Sequence, residues 1–125
     1  MADYMALIAA AEIPAGAMKE VSADGHPLMV ANVAGAYLVA DGRCPHLGGH
    51  LAEGVLEGPV VTCPRHGSQF DLTDGHVIRW THFTGTGTCT MIELAKHPRP
   101  LRVYEAVVED GVVKVGPQKE PPATV

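Results

Sequence analysis

Apolar residues in this chain come in short runs closed off by Gly, Asp and Pro, and few of them keep a helical period. Residues 18–24 (MKEVSAD), 26–33 (HPLMVANV) and 36–41 (AYLVAD) are rich in β-branched or aromatic side chains. They are separated by Asp24-Gly25 and Ala34-Gly35, which predicts a meander of hairpins. Residues 59–63 (PVVTC) predict a strand, and 68–79 (SQFDLTDGHVIR) a hairpin around Asp74-Gly75. In 101–109 (LRVYEAVVE), Tyr104, Ala106 and Val108 alternate onto one face, and Asp110-Gly111 turns the chain into VVKV. Ten prolines and fourteen glycines in 125 residues suit a turn-rich all-β fold and argue against helical ones. Residues 117–125 (PQKEPPATV) are expected to be a mobile end.

Length adds that 1–125 forms a single domain with a sizeable core and no room for a second catalytic domain. No internal repeat is present. The best uncharged stretch, 26–40, is broken by Pro27, Asn32 and Gly35, so no transmembrane helix is expected. Asp3 precedes the apolar run MALIAAA with no basic region, twin arginine or cleavage site, which points to the cytoplasm. Neither nucleic acid nor membrane is expected as a partner, and the net charge is −5.

The chemistry is concentrated in two short segments. Cys44-Pro-His46 and Cys63-Pro-Arg-His66 each pair one thiolate with one imidazole, with sixteen residues between His46 and Cys63. Soft charged sulfur and neutral nitrogen in equal number suit a metal centre with two chemically different halves. A structural zinc usually takes its cysteines from one pair and its histidines from another, whereas each pair here is mixed. A zinc-stabilised interaction module nevertheless stays an alternative. The small neighbours in CPHLGG and CPRHGS allow backbone amides to approach a bound group. Three cysteines less two ligands leave Cys89, so a disulfide within the chain requires giving up a ligand; a reducing compartment follows.

With CPHLGGHLAEG, CPRHGSQFDLTDG and the closing LRVYEAVVEDGVVKV, the chain resembles the Rieske ferredoxin family from about residue 7 to 115, with 80–98 fitting poorly. The resemblance implies a Rieske fold, an antiparallel β-sandwich with a small cluster-binding subdomain formed by two loops. It implies one 2Fe-2S cluster, with Cys44 and Cys63 on the inner iron and His46 and His66 on the outer one. Respiratory relatives carry a disulfide where this chain has Gly49 and Arg65, which places it with the soluble branch. Ser68 stands where a family hydroxyl donates to cluster sulfur, and Phe70 where high-potential relatives have a tyrosine, so a low potential is implied. Arg43 and Arg65 flank the cysteines. Because one electron turns a neutral site negative, guanidinium groups there favour reduction and offer a contact for an acidic partner.

The implied function is a soluble electron carrier, with no catalytic residues of its own, running from a flavin-dependent reductase to a terminal oxygenase or similar acceptor. A separate reductase is needed because no Gly-x-Gly-x-x-Gly follows a strand. The alternative is a Rieske-like small subunit of a multisubunit oxidoreductase such as an assimilatory nitrite reductase. Residues 80–98 read as an insertion that docks a partner, mediates self-association or shields the cluster. His26, His50, His76, His82 and His97 lack ligand spacing and receive no role.

Overall fold

The computed structural model describes residues 4–44, 49–64, 67–79 and 100–120. Among these, the strands are β1 (Met5–Ala9), β2 (Met18–Ala23), β3 (His26–Val33), β4 (Ala36–Asp41), β5 (Val55–Glu57), β6 (Val60–Thr62), β7 (Gln69–Asp71), β8 (Val77–Arg79), β9 (Val103–Glu109) and β10 (Val112–Gln118). Two single 3-10 turns, Ala10–Glu12 and Leu51–Glu53, are the only helical elements among the described residues. The all-β expectation holds.

Three hairpins of the larger sheet turn on two consecutive residues of positive φ: Asp24 and Gly25 at 52° and 78°, Ala34 and Gly35 at 52° and 93°, and Asp110 and Gly111 at 53° and 75°. Paired left-handed residues give a turn whose twist matches that of the flanking strands, and so fix the register of each hairpin. The larger sheet has six strands in the order β1-β10-β9-β4-β3-β2, and the smaller has four in the order β5-β6-β7-β8. Every pairing is antiparallel.

Strand β3 is apolar without alternation because both of its faces are covered. Met29 and Ala31 join one core cluster with Ala40, Cys44, Leu51, Val61, Cys63, Phe70 and Leu72, which lies between the two sheets. Leu28 and Val30 join a second cluster with Ile13, Val39, Val113 and Val115 on the opposite face. The first of these cores is where both motif cysteines sit.

Gly75 links the smaller sheet to the segment leading into β9. Its carbonyl accepts from the Leu101 amide at 2.8 Å, its φ is 86°, and a Cβ there would lie 1.9 Å from the Leu101 carbonyl oxygen. Gly75→Ala must both strain the backbone and separate these strands, so it is expected to cost about 2–4 kcal/mol. A lowered urea midpoint at unchanged slope checks it.

Three sequence expectations change. Residues 5–9, an apolar run by sequence, form β1, and 55–57 form β5 without a strand signal of their own. The mobile end does not begin at residue 117: β10 continues to Gln118, which pairs with Tyr104, and the Lys119 amide donates to the Val103 carbonyl at 2.8 Å. The expected insertion at 80–98 lies outside the described residues.

Candidate metal centre

The two motif loops are built on one plan. The Cys44 amide donates to the Gly49 carbonyl and the Cys63 amide to the Ser68 carbonyl, each at 2.8 Å. Both bonds reach five residues ahead, and His46 and His66 fall inside the two rings they close. One step outward, Arg43 faces His50 in an isolated antiparallel bridge, as Thr62 faces Gln69 at the base of the second loop. The second base is also tied by its side chains, with Gln69 Nε2 donating to Thr62 Oγ1 at 3.1 Å.

Cys44 and Cys63 are each 3% exposed and share the inter-sheet core. Both are thiols rather than disulfide halves. Burial in one apolar cluster, at the roots of two equivalent loops, suits a pair of soft ligands to a metal group held partly inside the fold. Ser68 and Phe70 are fully buried; Phe70 lies in the same core as the two thiols. His46, His66 and Arg65 lie outside the described residues, and among the described residues no group of three or more His, Cys, Asp or Glu side chains forms a metal site. Of the four expected ligands, the described residues include Cys44 and Cys63, which share one core cluster.

Beside Cys44 lies a recess of about 650 Å³ lined by His26, Asp41, Arg43, Leu101 and Arg102 among others. Asp41 ends β4 and is nearly buried. Its carboxylate accepts from Arg102 Nε at 2.7 Å, from the Tyr104 hydroxyl at 2.6 Å and from His26 Nε2 at 3.1 Å. Sequence reasoning missed this cluster, because its members come from three strand ends far apart in the chain and carry no local signal. His50 also has a partner, with its Nδ1 2.9 Å from Glu20. Asp74 accepts from the His76 amide, which holds its carboxyl below the usual carboxylate range.

Burial, and then donation to Asp41, pushes the Tyr104 hydroxyl up to about 12. The unfolded chain releases this proton near the ordinary value of 10.0 while the folded chain keeps it. The stability this group contributes is therefore complete below pH 10.0 and is lost as pH rises towards about 12. Thermal melts across that window should fall more steeply for the native protein than for Tyr104→Phe.

The fold and its paired loops define a cluster-binding β protein. The chain belongs to the Rieske [2Fe-2S] domain family, whose model matches residues 3–105. The cofactor of that family is a Rieske-type 2Fe-2S cluster, and the thiol pair in its shared core fits it. Among curated relatives, ferredoxin CarAc of Metapseudomonas resinovorans is 29% identical over 118 residues, covering 94% of this chain and 96% of the relative. The ferredoxin component of the naphthalene 1,2-dioxygenase system of Pseudomonas aeruginosa is 32% identical over 71 residues, covering 57% and 68%. Among solved structures, a chain in the complex of reduced oxygenase and oxidized ferredoxin of carbazole 1,9a-dioxygenase matches with a TM-score of 0.72 and 28% identity, covering 95% of this chain and 97% of that one. A Sphingomonas yanoikuyae B1 ferredoxin matches at 0.70 and 25%, covering 94% and 100%. These relatives are electron-transfer proteins by name, and no helix among the described residues is long and apolar enough to cross a membrane.

Proposed function

We propose that Cys44, His46, Cys63 and His66 hold the cluster, and that the chain is a single-domain cytoplasmic carrier passing electrons from a flavin-dependent reductase to a terminal oxygenase. The observation that carries this reading is the pair of equivalent loops, each closed from its cysteine to the fifth residue beyond and each rooted in the same core. When bound, the cluster supplies a site that accepts and returns one electron. Cys44 and Cys63 would hold it from the buried core, with His46 and His66 as its other two ligands. Ser68 and Phe70 are buried beside the loop bases, which strand pairing ties to the fold. The similarity to a protein named as a ferredoxin, over 94% of this chain, supports the carrier reading.

Purified protein is expected to be brown, with about two irons and two sulfides per chain. In rapid mixing, the reduced protein should pass one electron to a terminal oxygenase of the aromatic-ring class. A colourless protein holding one zinc overturns the cluster assignment, and a coloured protein that never reduces such an oxygenase overturns the choice of partner. Residues 80–98 are proposed as the partner contact. Replacing 84–96 by a short Gly-Ser linker should leave the visible spectrum intact and slow transfer or change oligomer size; loss of colour would assign the segment to shielding instead.

A further inference from the structure

The two loop bases differ in one respect. At the second, Gln69 donates directly to Thr62. At the first, the facing residues are Arg43 and His50, and the Nδ1 of His50 is turned to a carboxylate from another strand, to which it donates. Glu20 of β2 supplies that carboxylate. Its Oε1 accepts from His50 Nδ1 at 2.9 Å and lies 3.9 Å from Arg43 Nε. One carboxylate oxygen thus meets both residues that bound the loop 44–49. β2 is an edge strand of the larger sheet, and it also packs against the Leu51–Glu53 turn that follows the loop. Glu20 therefore connects the mouth of the first loop to the main sheet.

We propose that Glu20 is a positioning residue for the first cluster loop. It replaces the direct side-chain tie found at the second loop, and its negative charge offsets that of Arg43 beside Cys44. This rests on the ligand assignment proposed above. The 3.9 Å separation from Arg43 is that of a loose ion pair, so the geometric part of the role rests on the bond to His50 and the electrostatic part on the charge alone. Removing that charge favours the state with one more electron.

Three variants separate the two parts. Glu20→Gln keeps an acceptor oxygen and drops the charge. Glu20→Ala drops both. Glu109→Gln removes the same charge from an exposed carboxylate paired with Lys114 at the far end of β9. Iron release to a chelator should be about tenfold faster in Glu20→Ala than in the native protein and within about twofold in Glu20→Gln, as expected for loss and retention of one ordering hydrogen bond. Both Glu20 variants should raise the equilibrium constant for reduction about threefold, roughly 30 mV for one electron at 59 mV per tenfold, with Glu109→Gln unchanged. A Glu20→Ala protein that holds no iron while Glu20→Gln holds it supports positioning. Release from Glu20→Ala at the native rate overturns positioning, and a potential that does not move in Glu20→Gln overturns the charge role. Native protein without iron would instead overturn the ligand assignment, leaving these outcomes distinguishable.

Discussion

Cys44→Ser and Cys63→Ser are each expected to give a protein without its iron and with much of its fold lost, whereas Cys89→Ser keeps both. The two sites are alike in why the loss is large. Each thiol is 3% exposed in a core cluster shared with Leu51, Val61, Phe70 and Leu72, and the serine hydroxyl that replaces it must find a partner there or cost about 1–3 kcal/mol. A larger effect comes from the ligand itself, because metal binding that closes two loops is part of the folding free energy. That core is the contact between the sheets, so damage in the loops spreads to β6 and β7 and to the face of β3 carrying Met29 and Ala31. Iron and sulfide content, visible circular dichroism and urea unfolding check all three variants together. Retention of a full complement of iron by Cys44→Ser would remove Cys44 from the ligand set.

The hairpins of this fold were legible because their information is local. Asp24-Gly25, Ala34-Gly35 and Asp110-Gly111 each adopt paired positive φ, and the strands on either side follow from the turn. β1 was not legible, since among the described residues it pairs only with β10 at the other end of the chain and its alanine-rich sequence has little strand character. β5 is three residues between two glycines, and it exists because β6 offers it an edge. The tail was misjudged for a related reason: Pro117 reads as a terminator, yet at the bulged end of a strand it costs no ladder bond, and Gln118 resumes the pairing. The candidate site divides in the same way. Ligand types and spacing are written in two short motifs, while the residues that hold the loops are not. Glu20 and Asp41 look like ordinary strand carboxylates until folding brings Arg43 and His50 to one and His26, Arg102 and Tyr104 to the other.

The reduction potential is expected in the lower half of the Rieske range of roughly −150 to +300 mV. Hydrogen bonds to the sulfurs stabilise the more negative reduced state and raise the potential, so each missing donor lowers it. Phe70 offers no hydroxyl, and it is fully buried in the core that holds both thiols, where water has no room to take the place of one. Phe70→Tyr puts a phenol into that core. A hydroxyl buried there is costly unless it donates, and the sulfurs are the acceptors within the same cluster of side chains. The substitution should therefore raise the equilibrium constant for reduction about tenfold, roughly 59 mV for one electron. Ser68→Ala should act in the opposite sense if the buried Ser68 hydroxyl donates to a sulfur. Protein-film voltammetry at fixed pH reads both changes. A native value near the upper limit would overturn the assignment of a donor-poor site. A Phe70→Tyr protein that keeps the native potential with reduced stability would show instead that the new hydroxyl finds its partner away from the sulfurs.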